Sequence, residues 1–207
     1  MAAAGTGRRT QEQRSAQMRT RLLDATIDCL VEYGYAGTTT PRVAEMAGVT
    51  RGAQVHHFGS KNDLVLAAIR HLAARRIEQG LDRARLVTAA DDPVGAVLDL
   101  LWDLHEGPMF IATVELWVAG RTDRALAGEM AAVESTVVGA LVAAVGHAVP
   151  PEAQRSMVDF LYTAMDALRG ILISSFIDAD HERARRRWDR AVANLRRVAD
   201  VDLRADR

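Results

Sequence analysis

The chain's 207 residues carry 26 Lys and Arg against 27 Asp and Glu, for a net charge of −1, and 49% of them are hydrophobic. That balance is that of an ordinary globular chain and excludes collagen-like, low-complexity and disulfide-scaffold classes. Its single cysteine, Cys29, cannot form an intramolecular bridge and suits a reducing compartment.

The opening stretch MAAAGTGRRTQEQRSAQ has no apolar core of a secretory leader, and nowhere do about 18 apolar residues run uninterrupted. No membrane span and a cytoplasmic location are therefore expected. Residues 1–14 are small, polar and Arg-containing and are expected to form a disordered arm. Breakers are few and no alternating Val/Ile/Thr-rich run occurs, so the expectation is an all-α protein of about nine helices. The first covers 15–34, where Leu22, Leu23, Thr26, Ile27, Leu30 and Val31 recur at helical spacing before Gly34. A very short helix follows, with Thr40 as its cap, Pro41 in its first turn and Gly48 as its end. Thr50 caps a second short helix through His57, Gly59 breaks it, and Ser60 caps a long helix from Lys61 to about Arg83. Further helices are expected at about 93–106, 108–120, 122–147, 151–178 and 181–203, separated by Gly107-Pro108, Gly120 and Pro150-Pro151.

The charge is unevenly spread. Residues 1–61 hold eight cationic side chains (Arg8, Arg9, Arg14, Arg19, Arg21, Arg42, Arg51 and Lys61) against five acidic ones, a local charge of +3. The remainder holds eighteen against twenty-two, −4. A basic N-terminal third on an acidic body points to a polyanion facing that third alone, although scatter of surface charge gives the same count.

Two short helices joined by a Gly-containing turn and propped by a longer helix form a helix-turn-helix. Val43, Ala44 and Ala47 give the first short helix a small apolar face. Gly48 supplies the positive φ of the turn, and Val49 and Phe58 anchor the second helix. Thr50 leaves that helix's N-terminus free to point at a phosphate. Arg51 can pair bidentately with guanine, and Lys61 opens the next helix where a phosphate would lie.

The stretch TRLLDATIDCLVEYGYAGTTTPRVAEMAGVTRGAQVHHFGSKNDLVLAAI resembles the N-terminal domain of the TetR family of bacterial transcriptional repressors over about 50 residues. The resemblance implies a helix-turn-helix DNA-binding domain over 15–61, a connecting helix over about 61–83, and a helical effector-binding and dimerisation domain over 84–207. It implies a homodimer on a double-stranded palindromic operator, released by a small hydrophobic molecule, with no catalysis and no cofactor. The candidate DNA contacts are Thr40, Arg42, Thr50, Arg51, Gln54, His56, His57 and Lys61. Gln54-Val55 stand where the family usually has Leu-Tyr, so the backbone contact of that Tyr is missing. Gln54 either reaches an adenine edge or satisfies a nearby backbone group.

A metal or catalytic site competes for the same histidines. His56 and His57 diverge by about 100° on a helix, which disfavours joint ligation of one ion, and no carboxylate or thiolate stands at ligand spacing nearby. His105-Glu106 and His181-Glu182 lack the second histidine of a zinc-protease motif, and no G-x-S-x-G, Walker or G-x-G-x-x-G pattern is present. A helical enzyme or a binding module without DNA is the alternative class.

In the second half, Val158, Leu161, Tyr162, Met165, Leu168, Leu172, Ile173 and Phe176 recur at helical spacing, as do Trp188, Val192, Leu195 and Val198. These faces either pair with a second copy as a four-helix bundle or pack within the monomer. Trp102, Phe110, Trp117, Met130 and Met165 are candidate lining residues of an effector cavity, with His105 and Glu115 as its polar groups; ordinary core is the alternative for each.

Overall fold

In a computed structural model, residues 11–88, 90–146, 154–178 and 180–202 are described. Among them the chain forms nine α-helices and no strand, as the breaker pattern predicts. Helix α1 (Gln11–Gly37) begins earlier than expected: residues 11–14, assigned above to the arm, are helical, and Glu12 lies in the first turn where the helix dipole favours an acid. Residues 1–10 of the expected arm lie outside the described residues. Gly34 breaks the helix as anticipated, with φ of 67° and ψ of 177°. A final turn to Gly37 follows, in which Thr38 Oγ1 donates to the Gly34 carbonyl at 2.8 Å.

Helix α2 (Thr40–Met46) is capped one residue earlier than expected. Thr39, not Thr40, has the extended backbone of a cap, and its hydroxyl accepts from the Arg42 N–H at 3.4 Å. Three consecutive threonines offer the same chemistry, and the cap falls to the one left exposed once Thr38 is buried against Gly34. Helix α3 (Arg51–His57) is capped by Thr50, whose hydroxyl accepts from the Ala53 N–H at 3.2 Å. Helix α4 (Lys61–Thr88) starts with a reciprocal cap between Ser60 and Asp63 and outruns the expected end at Arg83. Then come α5 (Pro93–His105), α6 (Pro108–Gly120), α7 (Arg124–Gly146), α8 (Gln154–Ser174) and α9 (His181–Asp202). The expected helix over 151–178 is shorter, because Ser175 to Ile177 turn out of it.

Three apolar clusters organise these helices. The first joins Leu22, Leu23 and Cys29 of α1 to Val43, Phe58, Leu64 and Ala68, and so seats α2 and α3 on α1 and α4. The second carries Ile27 and Leu30 of α1 and Val65, Ile69 and Leu72 of α4 onto Leu116 of α6 and Met130 of α7. The third, around Leu98, Leu101, Leu161, Leu168 and Trp188, packs α5, α8 and α9. Helices α1 and α4 are common to the first two, so the short helices and the body share a two-helix spine.

The segment Arg124–Ala144 of α7 has a mean hydropathy of 1.4 and is long and apolar enough to cross a membrane by those two measures. Its Glu129 and Glu134 are ion-paired to Arg70 of α4 and Arg169 of α8, which makes it a helix of the body.

Candidate nucleic-acid interface and interior cavity

Gly48 sets the angle between α2 and α3. Its φ is 62°, a conformation that costs a side-chain-bearing residue about 1–2 kcal/mol. A Cβ there would also meet the Arg21 guanidinium at 3.1 Å. That guanidinium donates to the carbonyls of Ala47 and Gly48 and pins the turn to α1. The brace was not foreseen, because Arg21 reads in sequence as one more surface cation.

Beyond the turn, α3 is sorted by exposure. Gln54 and Phe58 are buried; Arg51, Gly52, Val55 and His56 face outward. Arg51 is engaged by no hydrogen bond or ion pair among the described residues, so its five N–H donors face water. Gln54 is 1% exposed, and its amide donates to the Phe58 carbonyl at 2.8 Å. It therefore takes the backbone-satisfying role and leaves the list of DNA contacts: a buried amide without a partner would cost about 1–3 kcal/mol. Val55, which the sequence analysis noted only as a departure, is 53% exposed between Arg51 and His56.

The other candidates are distributed around this face. Thr50 is exposed at the α3 cap. His57 is half-buried, and burial, then His56 and Arg19, push its pKa below the usual imidazole value. It is thus a neutral donor at neutral pH. Arg42 lies over the Tyr33 ring at 4.2 Å and donates to the Gly37 carbonyl. Lys61 donates to the Tyr35 carbonyl at 2.8 Å and stacks on the Tyr35 ring at 4.3 Å. Both cations are therefore tethered to the end of α1 rather than free, an arrangement invisible in local spacing. Thr40 is half-buried in the first turn of α2 and is not its cap.

The candidate pocket residues divide. His105, Met130 and Met165 line a cavity of about 40 Å³ among α4, α5, α6, α7 and α8. Trp102, Phe110, Glu115 and Trp117 do not. Trp102 is buried outside the cavity, donates from Nε1 to Glu106 at 3.2 Å and lies under the Arg185 guanidinium. Phe110 is buried against His105 and Trp117, at ring separations of 5.5 and 6.2 Å. Glu115 reaches the other way: its Oε2 accepts from the Tyr35 N–H at 3.0 Å and ties α6 to the end of α1. A Cβ on Gly34 would stand 2.9 Å from the same oxygen, so the left-handed glycine also makes room for this tie. Trp117 is half-buried with the Arg169 guanidinium over its ring at 5.0 Å.

What the sequence analysis missed in the cavity is charge. Arg76 is 7% exposed and donates to the Leu104 carbonyl at 3.1 Å and to Thr113 Oγ1 at 3.4 Å. Burial lowers its pKa to about 10, against the opposing pull of Glu134. Arg169 is ion-paired to Glu134 and also donates its Nε–H to His105 Nε2 at 3.3 Å. His105 Nδ1–H in turn donates to the Leu101 carbonyl at 2.8 Å, which fixes the tautomer. Burial, then Arg76 and Arg169, drives the His105 pKa down to about 3. A signal for this set did exist: Arg76 continues the stripe Val65, Ile69, Leu72; Glu134 follows Met130; and Arg169 follows Met165, each in phase with apolar neighbours.

Comparison with known proteins supplies the last observations. Residues 22–68 match the family described as bacterial regulatory proteins, tetR family. The HTH-type transcriptional regulator CymR of Pseudomonas putida is 32% identical over 187 residues, 86% of this chain and 89% of CymR. An HTH-type transcriptional regulator of Mycobacterium tuberculosis is 34% identical over 118 residues, 57% of this chain. The match spans about three fifths (60%) of that relative's length. A solved TetR-family structure from Streptomyces coelicolor superposes with a TM-score of 0.62 at 26% identity, covering 86% of this chain and 98% of the other.

Proposed function

The chain belongs to the TetR family of bacterial regulators, and from that premise we propose that it is a DNA-binding transcriptional repressor that acts as a homodimer and leaves its operator when a small molecule fills the interior cavity. Helices α1 to α3 are the DNA-binding head, α4 is the connector, and the chain from about residue 84 is the effector and dimerisation body.

One observation carries the reading: the outward face of α3 offers Arg51, Val55 and His56 beside the cap at Thr50, held at a fixed angle by Gly48. The three side chains cover distinct tasks in a major groove. Arg51 forks onto guanine O6 and N7, Val55 packs on a thymine methyl, and His56 donates to a base edge or a phosphate. Thr50, His57, Lys61, Arg42 and Thr40 border this face and supply backbone contacts. Arg42 and Lys61 arrive pre-positioned by their tethers to Gly37 and Tyr35. Two copies of α3 about 34–36 Å apart would enter successive major grooves of a palindrome.

The dimer rests on the outer face of α8. Leu161, Met165 and Leu168 point inward, whereas Tyr162 and Ile173, about three turns apart, are 47% and 40% exposed, followed by Phe176 and Ile177. A patch of this kind supports pairing with a second copy.

Fluorescence anisotropy with DNA flanking the protein's own gene tests the whole reading. Specific binding as a dimer, at low salt and without added small molecules, is the expected result. Affinity no greater than for random DNA across that region would overturn it.

A further inference from the structure

The cavity's electrostatics specify more than its presence. Arg76 of α4 spends its bonds on a carbonyl and a hydroxyl, neither of which carries charge. Arg169 of α8 has a carboxylate partner in Glu134 of α7. His105 accepts from Arg169 and donates to a carbonyl, so it is used as a neutral group. The described residues around the cavity therefore hold two guanidinium groups and one carboxylate, an excess of one positive charge. The remaining lining is apolar, from Ile69 and Leu72 to Met130 and Met165. An uncompensated buried cation costs several kcal/mol, and an apolar residue in its place is often neutral or stabilising. Arginine is also the side chain whose planar fork matches a carboxylate bidentately.

We infer that the cavity is a receptor for an amphipathic monoanion, a carboxylate on an apolar body, with the carboxylate seated on Arg76. This rests on the reading of the cavity as the effector site and names the chemical class that site takes. A single excess charge fits a monoanion rather than a phosphate dianion. At about 40 Å³ the space holds only a few waters. An apolar body must therefore part α4 from α7, and this moves the helix on which the DNA-binding head is seated.

Calorimetric titration of the full chain with octanoate, octanamide and octylammonium tests the class, with DNA release followed in the same samples. Octanoate is expected to bind about tenfold more tightly than octanamide, and octylammonium more weakly still. Arg76→Met should erase the preference for octanoate while leaving octanamide within about threefold. Because that variant could fold differently, Glu134→Gln provides an independent arm: it frees Arg169 and should tighten octanoate by about tenfold. Equal binding of octanoate and octanamide, a preference that survives Arg76→Met, or no gain in Glu134→Gln would overturn the anion reading and leave an effector cavity of another class. If none of the three probes binds, the effector reading of this cavity falls together with the inference.

Discussion

Arg51 and Arg76 carry the same guanidinium on successive helices, the first exposed at the start of α3 and the second 7% exposed midway along α4. Water solvates Arg51, so holding it in place costs the fold little, and its donors await a partner that arrives from outside. Arg76 is desolvated by the packing of the body, and its hydrogen-bond partners among the described residues are neutral. The difference teaches that a charged residue's use is set by where folding leaves it rather than by its type. The outer cation reads a polyanion by approach, and the inner one selects a small anion that must pay its way in by moving helices. The two ends are joined because the first apolar cluster and the cavity wall share α4.

Four measurements would break or sharpen this contrast. The largest effect is expected from Phe58→Ala, which empties the anchor beneath the outer face. Phe58 is 4% exposed, and its truncation should cost about 3–5 kcal/mol in urea unfolding. A loss below about 1 kcal/mol would mean that α3 is oriented by something other than this core. Arg51→Ala comes next. It should cost about 1–3 kcal/mol of binding to the preferred DNA sequence and relax selection at one base pair, with unfolding unchanged. Equal losses on random DNA would make Arg51 a phosphate contact instead.

The inner region is probed by pH. His105 has a folded pKa of about 3 against 6.5 unfolded. Between those values the unfolded chain binds a proton that the folded chain refuses, so stability is full above pH 6.5 and falls as pH drops. The expected slope is about 1.4 kcal/mol per pH unit from this one group. His105→Asn should flatten the slope between pH 6.5 and 5, above the range where carboxylates titrate; an unchanged slope would place the charge-sensitive group elsewhere. The smallest effect belongs to Lys61→Ala. It should lower affinity on all DNA sequences alike and reduce the salt dependence by roughly one unit of slope. A variant that weakens folding but leaves the slope intact would reduce Lys61 to its tether on Tyr35.

How much of this was legible in sequence follows the range of the interactions. The short helices were readable because their signals are local: a threonine cap, a glycine turn and an anchoring Phe58 act within a few residues. The one-residue error at Thr39 came from three equivalent caps in a row, decided by burial of Thr38. The cavity was only partly readable. Aromatic residues in the middle helices suggest a lining, yet Trp102, Phe110 and Trp117 pack outside the cavity and Glu115 binds the end of α1. Arg76, Glu134 and Arg169 come together from three helices, and nothing local distinguishes them from solvated charges except their phase within apolar stripes. Exposure of Val55 and burial of Gln54, adjacent residues on one turn, likewise depended on how α3 was rolled onto the core.

The Arg169 guanidinium over Trp117 has an optical consequence. An indole with a cation on its face emits differently from one without it, and an anion drawing Arg169 toward the cavity would change that environment. Trp188, fully enclosed in the apolar core, and Trp102, bound to Glu106 and covered by Arg185, which does not line the cavity, keep theirs. One of the three rings thus serves as a built-in gauge of cavity occupancy while the other two act as an internal standard, and Trp117→Phe would silence the gauge while leaving Arg169 an aromatic face to rest on.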